Sequence, residues 1–183
     1  MLLKVQVINI QLLPDFLHSL PTIYSLSCKS TIKSFFKPRN EFAHKGIFGH
    51  ALLIAGGRGK MGAAILSARA AMRAGLGMLT VSIPSQTEIS IHSALPEAMV
   101  ISRELNSMNF ERFSTIGIGP GLGTYKGTEK LLFTLIENYK KPIVIDADAL
   151  NIISNNPDWI SKIPSDSILT PHPKEFDRLF ILE

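Results

Sequence analysis

The chain is poor in groups that react or cross-link by themselves. A single cysteine, Cys28, in 183 residues excludes an internal disulfide framework and any multi-cysteine zinc site. No uninterrupted apolar run approaches the about 20 residues that a membrane helix needs. The N-terminus has one early lysine, Lys4, and lacks an apolar segment followed by a small-residue cleavage site, so it does not read as a secretory signal. Dense basic clusters are missing as well. Residues 1–60 hold eight Lys and Arg against Asp15 and Glu41, and the remainder holds eleven against thirteen acidic residues. These cations are spaced singly, so the net charge of +4 does not point to nucleic acid. Charge is too scarce for disorder: 19% charged residues, 45% hydrophobic residues and a mean hydropathy of +0.20 describe a chain that can bury a core. The expectation is a soluble, cytoplasmic α/β protein with no nucleic-acid and no membrane partner.

Organisation changes near residue 44. Residues 1–43 read as a lead-in or linker. Leu3, Val5 and Val7 alternate with polar residues over a short stretch, and Pro14 and Pro21 then interrupt any regular pattern. A short helix is expected around Ser30–Phe36. Residues 44–183 read as one domain of alternating strands and helices. Strands are expected at Ala51–Ala55, Met78–Ile83, Ser114–Ile118, Pro142–Ile145 and Ser167–Leu169, with a further short apolar run at Ala98–Ile101. Helices are expected at Gly62–Ala74, Ser85–Ala94, Thr128–Tyr139, Ala149–Ser154 and Lys174–Phe180. The run Ala51-Leu52-Leu53-Ile54-Ala55 is apolar at every position, as a strand covered on both faces requires. Alternation of this kind implies right-handed crossovers and a mainly parallel central sheet flanked by helices.

Four unusual loops follow the carboxyl ends of these strands: Gly56–Gly62, Gly119–Gly123, Asp146–Asn151 and Thr170–Glu175. In an open parallel sheet those ends share one edge, where ligands bind. Gly57 and Lys60 lie in a glycine-rich turn that could meet an anion at the next helix's N-terminus, or simply join strand to helix. The turn is not a P-loop, because Met61 follows Lys60 and Ile54 stands where a glycine is required. Ala63 could let a planar ligand lie against the helix, or serve packing alone. Gly119-Pro120-Gly121-Leu122-Gly123 has more glycine than a turn needs, which allows a ligand close to the backbone. Asp146 and Asp148 could hold a hydrated magnesium ion or cap the following helix. His172, held between Pro171 and Pro173, suits a hydrogen bond to a ligand. Lys45 could add an anion contact or remain a solvated charge.

Together, His44-Lys45-Gly46, Ile54-Ala55-Gly56-Gly57 with Gly62-Ala63-Ala64, Arg73-Ala74-Gly75, Gly119-Pro120-Gly121-Leu122-Gly123, Asp146-Ala147-Asp148-Ala149-Leu150-Asn151 and Thr170-Pro171-His172-Pro173 with Glu175-Phe176 resemble the ADP- or ATP-dependent NAD(P)H-hydrate dehydratases. The likeness runs in unbroken order over residues 44–181. It implies a ribokinase-like fold and the repair of hydrated NADH or NADPH. In such repair a phosphoryl group passes from ADP or ATP, with Mg2+, to the ring hydroxyl, and phosphate is then eliminated. By this resemblance Ala63, Gly121, Gly123 and His172 contact the hydrated dinucleotide, no side chain binds metal directly, and the intact protein is a homo-oligomer. Phe35–Asn40 looks like the junction to an epimerase domain in bifunctional members. Arg58 and Lys174 depart from the family's usual small residues. The family's lysine-bearing segment and its Gly-Ser-Gly-Asp-like motif, with the expected catalytic aspartate, would lie beyond Glu183. The resemblance therefore implies a domain incomplete at its C-terminus, with little turnover of its own. Two other readings are a ribokinase-fold kinase of a small alcohol or vitamin precursor, and a non-catalytic fragment or binding subunit.

Overall fold

A computed structural model describes residues 8, 10, 11, 13–21, 28–36, 38–103 and 108–180. The chain divides into two compact units, Met1–Glu41 and Phe42–Glu183. In the first, α1 (Pro14–Ser19) and α2 (Lys29–Phe35) are short, and α2 buries none of its residues. Helix α2 lies where the short helix was expected. Pro14, expected to interrupt the preceding pattern, opens α1, a helix with no sign in the sequence. The first position of a helix has no intrahelical N–H bond for proline to remove. The alternation at Leu3–Val7 lies outside the described residues.

The second unit carries one six-stranded sheet in the order β3-β2-β1-β4-β5-β6, and every pairing is parallel. Its strands are β1 (His50–Ile54), β2 (Met78–Ile83), β3 (Met99–Ser102), β4 (Thr115–Ile118), β5 (Ile143–Ile145) and β6 (Ile168–Leu169). Helices α3 (Met61–Arg73), α4 (Glu88–Ala94), α5 (Lys126–Asn138), α6 (Asp148–Ser154) and α7 (Pro173–Leu179) follow β1, β2, β4, β5 and β6 respectively. The expected elements are present, with ends moved by a few residues. Ser85–Thr87 does not join α4, since Gln86 has a positive φ of 68° and the Thr87 hydroxyl donates to the Pro84 carbonyl at 2.6 Å. Two short 3-10 turns, Lys45–Phe48 and Pro157–Lys162, had no sequence signal.

Burial explains why β1 is apolar at successive positions. Leu52 and Ile54 pack with Ile116, Ile118, Ile143 and Ile145 beneath α5 and α6, where Leu131, Leu132, Leu135 and Ile136 are buried. Ala51, Leu53 and Ala55 point the other way, to Leu79, Val81 and Ile83 and to Ala64 and Ala68 of α3. Alternate side chains of one strand thus enter two separate cores, as a doubly covered parallel strand demands. The small Ala64 and Ala68 let α3 approach the sheet closely. Among the described residues, no helix is long and apolar enough to cross a membrane.

His50 opens β1 with Nε2 2.8 Å from the Thr80 hydroxyl and its ring edge-on to Phe113, 4.8 Å between centroids. Burial, with the nearby Arg112 charge, holds the imidazole below its ordinary pKa. Below the ordinary imidazole value of about 6.5 the unfolded chain therefore binds the proton more readily than the folded one, and stability is lost as pH falls through that value. Thermal denaturation from pH 7.5 to about 5.5 should show this decline, and His50→Gln should flatten part of it. An identical slope in the variant would contradict the assignment.

Candidate active site

The strand order places a switch point between β1 and β4. From β1 the chain winds outward through β2 and β3, and from β4 it winds the other way through β5 and β6. The two loops leaving such a pair diverge to opposite faces and leave a crevice at the carboxyl edge. Here those two loops are the glycine-rich ones, Gly56–Gly62 and Gly119–Gly123.

They touch through backbone. The Gly56 N–H donates to the Pro120 carbonyl at 2.7 Å. A Cβ on Gly57 would sit 2.9 Å from the Gly121 carbonyl oxygen, and one on Gly121 would sit 2.9 Å from the Lys60 carbonyl and 3.1 Å from the Ala63 Cβ. Gly57, Lys60, Ala63 and Gly121 are therefore one contiguous group. Gly119 is tighter still. Its φ is +133°, and an added Cβ would lie 1.7 Å from the Asp146 carbonyl oxygen, an overlap no side chain survives.

Asp148 links three of the loops. Its Oδ2 accepts from the Gly123 N–H at 2.7 Å and from Lys60 Nζ at 3.2 Å. Neither Asp146 nor Asp148 caps α6 through its side chain, and the cap position, Ala147, has a positive φ of 48°. That conformation is strained for a non-glycine residue and is of a kind found at functional sites. Asp146 instead accepts from the Thr170 hydroxyl at 2.8 Å, which ties the loop after β5 to the loop after β6. Beside Asp148 lies an open groove of about 380 Å³ lined by Thr124, Asn151, Ser154, Asn155 and Arg178. The Arg178 guanidinium donates to Asn151 Oδ1 across it at 2.7 Å.

His172 stands on the same edge, immediately after β6, and caps α7. Its N–H donates to the Glu175 carboxylate at 3.0 Å, and its Nδ1 accepts from the Glu175 N–H at 3.4 Å. Glu175 is buried while the imidazole is exposed, and Nε2 also lies 3.3 Å from the Glu175 carboxylate, so Glu175 anchors the ring at the surface of this edge. Lys45 is not brought to this rim. It lies before β1, with its carbonyl against Gly77 at the start of β2, on the amino-terminal edge of the sheet. Its glycine-rich neighbourhood is a strand entry rather than a strand exit, and sequence spacing alone does not separate the two. Among the described residues no group of three or more His, Cys, Asp or Glu could hold a metal ion.

Sequence reading missed Arg103. It follows β3, and its Nη2 donates to the carbonyls of Ala55 at 2.5 Å, Gly56 at 2.8 Å and Ser82 at 3.2 Å. Desolvation depresses its affinity for the proton, and the nearby Tyr125 phenol opposes this. The available signal was a lone arginine at the carboxyl end of a short apolar strand. A direct check of the convergence is Gly119→Ala, which should cost about 3 kcal/mol or more in urea unfolding because the Asp146 carbonyl must move.

A family model for NAD(P)H-hydrate dehydratase matches residues 51–183. The bifunctional NAD(P)H-hydrate repair enzyme Nnr of Escherichia coli K12 is 37% identical over 150 residues, covering 81% of this chain and 28% of that protein. The ADP-dependent (S)-NAD(P)H-hydrate dehydratase of Staphylococcus aureus is 38% identical over 149 residues, covering 77% of this chain and 52% of that protein. Among solved structures, the ADP/ATP-dependent NAD(P)H-hydrate dehydratase of Bacillus subtilis, co-crystallised with ATP/Mg2+, superposes with a TM-score of 0.70 at 29% identity over 84% of this chain and 55% of that one. A ribokinase-like superfamily protein of Enterococcus faecalis gives a TM-score of 0.76 at 26% identity over 90% and 61% of the two chains. The fold is accordingly ribokinase-like, and the chain spans about half the length of the S. aureus and B. subtilis relatives and just over a quarter of the E. coli one. With a match that covers residues 51–183, the chain belongs to the NAD(P)H-hydrate dehydratase family.

Proposed function

We propose that the rim between β1 and β4 binds hydrated NADH or NADPH and forms the dinucleotide side of an ADP- or ATP-dependent dehydratase site. The observation that carries this reading is the backbone contact between Gly57 and Gly121, with Asp148 joining Lys60 to Gly123. Two glycine turns that meet without side chains let a ligand come close to the backbone, which suits a phosphate-bearing planar ligand. Ala63, Gly121 and Gly123 would line that approach, and His172 would offer its exposed imidazole from the β6 side. Gly57 and Lys60 would face an anionic group, with Lys60 held in place by Asp148. Lys45, on the far edge of the sheet, is left out of this arrangement.

The family chemistry transfers a phosphoryl group from the nucleotide to the hydroxyl of the hydrated ring and then expels phosphate, restoring the ring double bond. For this chain the reading is confined to what its own residues do: bind the dinucleotide, orient its ring and shield it from water. We assign no catalytic base among the described residues. Mg2+ would neutralise the nucleotide phosphates, and it usually keeps several waters and takes only one or two carboxylates. Asp146 could hold one of those waters, since Thr170 occupies only one of its oxygens. Asp148 is already committed to Lys60 and Gly123. A cytoplasmic location goes with the proposed repair of hydrated NADH or NADPH. A homo-oligomeric state rests on the family resemblance alone.

Calorimetric titration tests this reading. Hydrated NADPH should bind, and Asp148→Ala should weaken it by about tenfold by freeing Lys60 and the Gly123 turn. Failure of the wild-type chain to bind hydrated NADPH, or saturable binding of small vitamin-like alcohols in its place, would contradict the reading.

A further inference from the structure

One charged side chain beside the glycine turns has no place in the family motifs. Arg103 is rooted at the end of β3, where its N–H donates to the Ile83 carbonyl at 2.8 Å. Its side chain then crosses β2 and ends on β1. Nη2 alone gathers the carbonyls of Ala55, Gly56 and Ser82. Ala55 and Gly56 follow the end of β1, and the Ser82 carbonyl, next to last in β2, also accepts from the Ala55 N–H at 3.3 Å. Nε and Nη1 are shut off from solvent and make no well-formed hydrogen bond among the described residues, where the Tyr125 phenol is the group that favours the charged guanidinium. Burying a guanidinium with two such nitrogens is expensive, and such an exception needs a reason.

The reason lies in where Nη2 points. Ala55 and Gly56 are the hinge of the first glycine loop. The N–H of Gly56 reaches across the switch point to Pro120, while its carbonyl is held from behind by Arg103. Gly56 has a φ of +76°, a backbone conformation that glycine adopts readily and other residues rarely do. Lysine presents its donors as a compact point charge on a flexible stem, without the fixed plane that the guanidinium brings to these carbonyls. The positive charge is part-buried beside the first glycine turn, where it is screened less than a fully solvated one.

We propose that Arg103 is a positioning residue: it locks the Ala55–Gly56 peptides so that the first glycine turn meets the second, and its charge biases the rim toward phosphate-bearing ligands. The ligand part of this inference rests on the function proposed above, whereas the positioning part stands on geometry alone. Arg103 touches no reacting atom in this account and acts through the turn.

The test compares wild type, Arg103→Met and Arg103→Lys, with inorganic pyrophosphate and hydrated NADPH as probes and amide hydrogen exchange as the structural readout. Arg103→Met should speed exchange at residues 55–62 by about tenfold and weaken both probes by about tenfold. Exchange in α5 should stay within about twofold. Arg103→Lys should recover part of both losses. Unchanged affinity and unchanged loop exchange in Arg103→Met would overturn the inference. Equal loss of protection in α5 and in the turn would overturn it too, by showing a general structural role. If wild type binds pyrophosphate in an Arg103-dependent way but ignores hydrated NADPH, the substrate reading fails and the positioning role stands. Binding of neither probe by wild type overturns both. Should Arg103→Met not fold, Arg103→Gln, which keeps one amide donor without the charge, is read by the same criteria.

Discussion

The carboxyl edge of this sheet depends on a contact made by atoms that are not there. The turns after β1 and β4 approach so closely that a methyl group on Gly57 or Gly121 would press into the opposite backbone, and one on Gly119 would occupy the Asp146 carbonyl. Only hydrogen at those Cα positions lets the two chains meet. Once they meet, the amide of Gly56 finds its acceptor on Pro120, and the parting of the two loops becomes a defined crevice instead of a gap. The sheet supplies the separation of the strands, and glycine supplies the closure.

Charge then fastens what sterics allow. A single carboxylate oxygen of Asp148 receives a backbone amide from the second loop and an ammonium from the first. Such an exposed pair is worth little as stability, since Lys60 remains largely solvated. Its value is geometric, because it sets the register of two loops far apart in sequence. Thr170 continues the chain of contacts from Asp146 to β6, and the Glu175–His172 capping arrangement holds His172 on the same edge. Arg103 works from below, on the carbonyl side of the first turn. These contacts between loops add to the bonds each turn makes within itself, such as Lys60 N–H to Gly57 and Leu122 N–H to Gly119.

Much of this was legible in the sequence. The five-residue apolar run of β1 announced a strand covered on both faces, and the cores confirm the reason, with Leu52 and Ile54 on one side and Ala51, Leu53 and Ala55 on the other. The position of each polar loop after a strand was readable because glycine and proline punctuate strand ends. The pairing order was not readable, since nothing in local periodicity says that β4 returns beside β1. Lys45 illustrates the consequence, as its glycine-flanked setting resembles a binding turn but precedes a strand instead of following one. Pro14 shows a second limit, for a proline that breaks a pattern in one frame opens a helix in another. Asp148 and Arg103 show the third. Their roles consist of long-range bonds, to Gly123 and Lys60 and to Ala55 and Gly56, and such bonds leave no trace in spacing.

The central claim is that ligand recognition occurs on the edge where the β1 and β4 turns meet. Amide chemical-shift mapping of the isotopically labelled chain during titration with hydrated NADPH tests it most directly. The account predicts perturbations concentrated at residues 56–63 and 119–125, with His172 responding and the Lys45–Phe48 turn silent. Perturbations gathered around Lys45–Phe48 and the amino-terminal edge, with the glycine turns unmoved, would contradict it.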